Sequence, residues 1–339
     1  MKKCVSFDDV LVTPKFSDII SRSEIDLSSF LGSIKSEIPI ISSPMDTVTE
    51  ARMANRIASL GGIGIIHRYN SPEEQASLVS SCEAESVGFA VGVGDDMIER
   101  AQKCVQAGAN LICIDVAHGH HALVRHALLA LRNTFGGTVH IMAGNVATRA
   151  GYEDLAAWGA DSVRVGIGGG SICSTRIQTG HGVPTLQSVI DCASSELSGT
   201  IPIIADGGIK NSGDIVKAIA AGADFVMLGS LLSGTDESPG EKIQRGENLY
   251  KEYRGMASER AQINWRGRVA SREGVAALVP YKGSIDDIVE SLIAGIRSGL
   301  SYSGCRTISE FHSSASMILQ TSSGFSESNT HVLSRGIKI

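Results

Sequence analysis

Between Ile38 and Ser230 one pattern recurs: a short apolar run, a turn holding glycine or a polar residue, then an amphipathic stretch. The runs are IPIISSP from Ile38, GIGII from Gly62, VGFAVGV from Val87, NLICIDV from Asn110, HIMAGNV from His140, DSVRVGI from Asp161, PIIADGG from Pro202 and DFVMLGS from Asp224. Short, nearly continuous apolar runs are what strands buried on both faces require. Helical periodicity lies between them, as at Met97 to Gly108, His121 to Phe135, Tyr152 to Gly159 and Ser212 to Gly222. The endings QAGAN, AWGAD and AAGAD place glycine where a helix closes before the next strand. Eight such units in series predict an α/β fold, the (β/α)₈ TIM barrel. A doubly wound open sheet shows the same local pattern. Candidate site residues nevertheless cluster at the ends of the runs: Asp46, His67, Asp115, Asn145, Asp206 and Ser230. A closed barrel gathers those ends over one mouth, whereas an open sheet spreads them along an edge.

Residues 1–37 precede the first run and are predicted to pack on the barrel as an N-terminal segment, with the barrel itself spanning 38–339. Within it, 234–283 is charged, strand-poor and longer than ordinary connections, which marks a functional flap after the eighth strand. Helical pattern returns at Ser284 to Gly299. The serine-rich tail, 300–339, is expected either to order against a neighbouring subunit or to stay partly disordered. A net charge of −6 with scattered signs leaves no basic stripe for nucleic acid. No apolar run is long enough to span a membrane. The opening MKKCVSFDDVLVTPKFSD turns acidic before a signal-peptide core forms, so a cytoplasmic location is expected. Seven cysteines without a CxxC spacing read as reduced thiols, not as a disulfide framework or zinc site.

The stretch Gly166 to Thr185, GIGGGSICSTRIQTGHGVPT, carries the chemistry. Clustered glycines let backbone amides approach a ligand, and with Ser171 they suit a phosphate. Cys173 follows directly, with Ser174, Thr175 and Arg176 beside it, and a thiol next to a phosphate cradle points to covalent chemistry on a nucleotide. The plainer alternative is a glycine-rich loop with an incidental cysteine. Asp115 and Asp206 at strand ends also suit helix capping. His118, His120 and His121 follow Asp115 in a loop, where cofactor contact or solvent exposure fits better than a metal site.

Together with that loop, GGI at Gly207 to Ile209, MLGS at Met227 to Ser230 and YRGM at Tyr253 to Met256 resemble the inosine-monophosphate dehydrogenase and guanosine-monophosphate reductase family, along nearly the whole chain from SFDDVL at Ser6. The resemblance implies that Cys173 attacks C2 of a purine nucleoside monophosphate, with Thr175 as its catalytic companion. It assigns Ser171, Gly208, Gly229 and Ser230 to the 5′-phosphate and Asp206 to the ribose hydroxyls. Asn145 and Met256 would place the base, and Tyr253 and Gly255 belong to the same substrate motif. Asp115 and His118 would meet a nicotinamide cofactor, NADPH or NAD. Carbonyls of Gly168, Gly170 and Cys173 match a potassium-binding loop, and relatives are homotetramers. Two departures stand out. Gly169 replaces a proline in GIGPGS, which would loosen the loop, and HRYNSPEEQA from His67 leaves no room for the regulatory CBS domain that relatives often insert.

The family's two reactions part after the sulfur-linked purine. The dehydrogenase hydrolyses it with a flap Arg–Tyr pair; the reductase expels ammonia with a glutamate near the threonine. The flap YRGMASERAQINWRGRVASREGVAALVPYKG lacks an Arg–Tyr pair after Met256, since Arg266 and Arg268 have no adjoining tyrosine. Glu259 sits where the reductase pattern GMSSE has its acid, and GRVASREG resembles the reductase's glycine-to-glutamate segment. Glu259 is therefore expected beside Thr175 as the proton donor, its alternative being the first-turn acid of a short helix. VGFAVGVG with Val93, CRTISEF from Cys305 and GFSESNTH from Gly324 look dehydrogenase-like. Because the flap bears the distinguishing step, the expected reaction is NADPH-dependent reduction of GMP to IMP, with NAD-dependent oxidation of IMP to xanthosine monophosphate as the alternative. A catalytically inactive nucleotide-binding protein is a third reading, opposed by the presence of Cys173 and Thr175.

Overall fold

Period-two alternation within the apolar runs decides which side chains fill the centre. Ile41, Ile63, Ile65, Ala90, Leu111, Cys113, Met142, Ile204, Phe225 and Met227 form one buried cluster. Their alternate neighbours, among them Ile40, Ile66, Phe89, Ile112, Ile114, Ile141, Val163, Val165, Ile203 and Val226, belong to a second cluster shared with the surrounding helices. Each fully buried Leu-, Ile- or Phe-sized side chain contributes about 1.5–3 kcal/mol relative to exposure. The sheet is therefore buried on both faces, and the pairing of its last strand with its first closes it.

The computed structural model describes residues 1–269, 272–328 and 330. All eight runs form strands: Ile40–Ser42, Ile63–Ile66, Gly88–Val91, Leu111–Asp115, His140–Val146, Ser162–Val165, Ile203–Asp206 and Phe225–Leu228. They are parallel and in sequence order, and the last pairs with the first through Val226–Ile40, Met227–Ile41 and Leu228–Ser42. The fold is a closed (β/α)₈ barrel. Several of its helices begin on side-chain caps, with Ser71, Thr148, Asn211 and Ser284 each accepting a backbone N–H of the first turn. Gly108, Gly159 and Gly222, the glycines of the three helix-end motifs, all take positive φ. The second strand leads through helix Pro72–Ser80 directly to the third, with no domain between them.

The N-terminal segment contributes a hairpin, Ser29–Leu31 with Ile34–Ser36, whose Leu31 and Ile34 join the interior cluster. In the tail, Met317–Leu319 pairs antiparallel with Val10–Val12. Asn329 and His331 of the GFSESNTH segment, and Ala270 and Ser271 of GRVASREG, lie outside the described residues. The flap is not strand-poor as its composition implied. Ile243–Arg245, Asn248–Arg254 and Ala276–Pro280 make a three-stranded antiparallel sheet, followed within the flap by helix Glu259–Arg266 between its second and third strands. Charge misled because this sheet is largely exposed, and its middle strand carries Lys251, Glu252 and Arg254. Among the described residues no helix is long and apolar enough to cross a membrane, and no cluster of three or more His, Cys, Asp or Glu side chains could hold a metal.

His140 starts the fifth strand, its Nε2 2.8 Å from Ser162 Oγ. Burial first of all, with Arg132 adding to it against the opposing pull of Asp161, pushes its imidazole down to about 4 from the ordinary 6.5. Between those values the unfolded chain binds a proton that the folded chain refuses, so stability is lost as pH falls through that window. The loss should be about 1–3 kcal/mol. Thermal unfolding from pH 7 to 4.5 should show His140→Gln losing less stability than the wild type. Equal pH slopes in both proteins would overturn this assignment.

Candidate active site

Strand Ser162–Val165 delivers the chain to Gly166, where φ is +146° and an added Cβ would lie 2.0 Å from the Asp206 carbonyl oxygen. Only glycine lets the sixth and seventh strand ends come this close. At Gly169 an added Cβ would sit 2.3 Å from Thr185 Oγ1. A side chain from helix Thr185–Ala193 thus occupies the space that residue 169 leaves empty. The loop turns at Gly170, whose carbonyl accepts the Cys173 N–H at 3.1 Å, and enters the short helix Thr175–Thr179. There the Cys173 thiol donates to Thr175 Oγ1 at 3.2 Å, and Thr175 Oγ1 donates to Glu273 Oε2 at 2.9 Å.

Backbone pairing holds the flap against this loop. Ser174 N–H donates to the Glu273 carbonyl at 3.0 Å and Val275 N–H to the Ile172 carbonyl at 3.0 Å, while within the flap Gly255 N–H donates to the Val275 carbonyl at 3.0 Å. Cys173 and Gly274 form an antiparallel bridge. The flap's Arg254 pairs with Asp46 at the end of the first strand, and Tyr69 Oη donates to the Met256 carbonyl.

Arg164 points into the barrel between Val163 and Val165, which face out. One nitrogen, Nη1, bonds Asp115 Oδ1 at 2.8 Å; the other, Nη2, bonds Asp206 Oδ2 at 2.9 Å. Asn145 Nδ2 donates to the same Asp206 oxygen and to the Gly166 carbonyl, both at 2.8 Å. Burial disfavours the Arg164 charge, but Cys113, Asp206 and Asp115 outweigh it and hold the guanidinium well above its ordinary value. Burial pushes the Cys113 thiol up to about 11, so at neutral pH it is protonated and the two carboxylates supply the compensating charge.

These elements enclose a cavity of about 470 Å³. Cys173 and Thr175 lie on its wall, as do Asn145, Ser171, Asp206, Gly208, Gly229, Ser230, Tyr253, Gly255 and Met256. Asp115, Gly168 and Gly170 line it too. Tyr253 is buried, its phenol pushed up to about 12 by burial and hydrogen-bonded to Ser171. His118 does not line the cavity; it is exposed, with its ring edge-on to His121. Glu259 is the main correction. Ser258 caps the flap helix, and Glu259 in its first turn points outward to Arg272 at 3.4 Å, away from the cavity wall. Glu273 takes the place beside Thr175. Sequence reading missed Glu273, Arg164 and Arg68, although an arginine between two valines in a barrel strand is itself a signal of an interior charge. Arg68 lines the cavity, with Nη2 donating to the Asp115 carbonyl at 3.1 Å.

A family model described as the IMP dehydrogenase / GMP reductase domain matches residues 4–331. The chain is 38% identical to inosine-5′-monophosphate dehydrogenase of Cryptosporidium parvum, over 97% of this chain and 95% of that protein. It is 34% identical to the enzyme of the same name from Nitrosopumilus maritimus (strain SCM1), over 97% and 98%. That alignment extends over 469 positions against 339 residues here, so the relative carries residues that this chain lacks. GMP reductase of Leishmania major is 31% identical over 98% and 97%. A crystal structure of GMP reductase from Trypanosoma brucei in complex with guanosine 5′-monophosphate superposes with a TM-score of 0.93 at 30% identity, covering 100% of this chain and 99% of that one.

Replacing Arg164 by leucine would strand two carboxylates inside the barrel mouth. Breaking a buried pair in this way costs about 3–5 kcal/mol. Urea unfolding of Arg164→Leu should show a loss of that size, and Arg164→Lys should retain part of it. A loss below about 1 kcal/mol in the leucine variant would count against the network.

Proposed function

The chain belongs to the IMP dehydrogenase / GMP reductase family, and from that premise we propose that it is an oxidoreductase of purine metabolism converting GMP to IMP and ammonia with NADPH. The observation that carries this reading is the relay Cys173–Thr175–Glu273, in which a thiol, a hydroxyl and a carboxylate follow at hydrogen-bond distance. Asp206 and Asn145 hold the ribose and base, and Ser171, Gly208, Gly229, Ser230 and Tyr253 hold the phosphate. Three buried atoms of the cavity lining have no protein partner: Asn145 Oδ1, Arg68 Nε and Arg164 Nε. One acceptor and two donors suit a purine nucleotide with a carboxamide-bearing nicotinamide next to it, toward Asp115 and Arg68.

As sulfur adds to C2, the Cys173 proton passes to Thr175 Oγ1 while the threonine's own proton moves to Glu273. The C2–N bond then breaks, and Glu273 returns a proton through Thr175 to the amine, which leaves as ammonia. A reduced nicotinamide held toward Asp115 and Arg68 would supply the hydride that replaces sulfur at C2. Cys173 departs as thiolate and regains a proton.

The second reading is NAD-dependent oxidation of IMP, favoured by the dehydrogenase names of several relatives and by Val93 in the third strand–helix loop. It needs a base for water. Among the described residues the arginines lining the cavity are Arg68 and Arg164, and both are engaged with Asp115. A homotetramer and a cytoplasmic location complete the proposal. So does a potassium ion on the carbonyls of Gly168, Gly170 and Cys173, with one Gly170 lone pair already given to the Cys173 amide.

Cys173→Ala should abolish turnover and leave nucleotide binding intact. Glu273→Gln should slow ammonia release about 10²–10⁴-fold with little change in GMP affinity, and Glu259→Gln should stay near wild type. Ammonia release from GMP with NADPH is compared with IMP oxidation by NAD. If only IMP oxidation proceeds and Glu273→Gln leaves it unchanged, the dehydrogenase reading holds. Light scattering should return a tetramer mass; a monomer at working concentration would refute that part.

A further inference from the structure

The flap helix Glu259–Arg266 has only eight residues, too few to be stable in water without docking. Ala261 and Gln262 are buried, and Trp265, one turn on, shares their face. The Trp265 ring stacks on Tyr69 at 4.3 Å between centroids and 13° between planes. The Arg68 guanidinium carbon is 5.2 Å from the Trp265 centroid and 5.6 Å from that of Tyr69, so it packs beside the stacked pair and touches both rings. Packing against an aromatic pair narrows the orientations open to a guanidinium and so helps to aim its donors. Here one edge reaches the Asp115 carbonyl, while the buried Nε–H makes no hydrogen bond within the protein and forms a longer ion pair, 3.7 Å, with Asp115 Oδ2.

We propose that Trp265 is a positioning residue for the cofactor end of the site: from the flap it orients Arg68, so that flap docking and dinucleotide binding strengthen each other. This rests on the reading that the cavity beside Asp115, Val116 and Ala117 takes a nicotinamide dinucleotide. Arg68 is joined through Asp115 and Arg164 to Asp206, so the indole is connected to the nucleotide end through one continuous set of charges. Linkage makes the effect reciprocal: what Trp265 adds to dinucleotide affinity, the dinucleotide adds to flap docking.

The test uses the full chain with GMP plus NADPH, and separately with IMP plus NAD. Trp265→Ala should weaken dinucleotide binding by about tenfold or more, with nucleotide affinity within about twofold. Trp265→Phe, which keeps a stacked ring, should bind both nearly as the wild type does. In a Trp158→Phe background, where Trp265 is the remaining tryptophan, its emission should change when dinucleotide is added. Wild-type dinucleotide affinity in Trp265→Ala overturns the proposal. So does an equal loss of nucleotide and dinucleotide binding accompanied by a lower melting temperature, which marks a merely structural role. If the Trp265 effect appears only with IMP and NAD, the reductase reading fails while this assignment stands. A wild type that binds neither dinucleotide overturns both.

Discussion

The guanidinium of Arg164, held between Asp115 and Asp206, is the interaction around which the barrel mouth is built. Three strands that are not all neighbours, the fourth, sixth and seventh, are tied by one side chain, and Asn145 adds the fifth. At an effective dielectric near 20, a contact at 2.8 Å gives roughly 6 kcal/mol of gross attraction. Desolvating each buried ion costs several kcal/mol in return. The net contribution to stability is therefore small, and an apolar interior of equal volume would serve folding as well. What the arginine secures is orientation. Each carboxylate keeps one oxygen on Arg164 and has the other to offer a ligand.

Around this fixed centre the flap is attached by a different kind of force. The barrel strands are set by the two apolar layers on either side of them. The flap meets the cysteine loop mainly through backbone pairs: Ser174 with Glu273 and Ile172 with Val275. Such bonds contribute about 0.5–1.5 kcal/mol each. They are individually weak enough to open for a substrate, yet directional enough to fix which flap residue faces the thiol. The acid is carried by the flap, and the nucleophile by the loop that follows the sixth strand.

This division also explains what the sequence made legible. All eight strands, the glycine helix ends and the cysteine loop follow from local pattern, because apolar runs and glycines act within a few residues of themselves. Thr175 was legible for the same reason, two residues from Cys173. Glu273 was not. It lies 98 residues from Thr175 and reaches it only through the pairing of the flap with the loop, which no local periodicity encodes. Glu259 was the attractive error because a motif places it three residues after Met256. Yet a first-turn acid satisfies its helix by pointing outward, and its partner is the exposed Arg272. The flap sheet was hidden by charges that belong to largely exposed strands.

The same pairing bears on which chemistry the site favours. Arg272 and Glu273 are adjacent, so in extended backbone their side chains leave on opposite sides. In the observed register, with Cys173 opposite Gly274, the glutamate turns in toward Thr175 and the arginine turns out toward Glu259. A slip of one residue would exchange them, since a single-residue shift carries every side chain to the other face. It would put a fixed positive charge beside the threonine and remove the carboxylate that can take and return a proton. An acid two hydrogen bonds from the sulfur suits the protonation of a leaving amine; a guanidinium in its place would favour the activation of water. The register at which the flap meets the cysteine loop thus decides which of two neighbouring side chains, Arg272 or Glu273, faces the threonine.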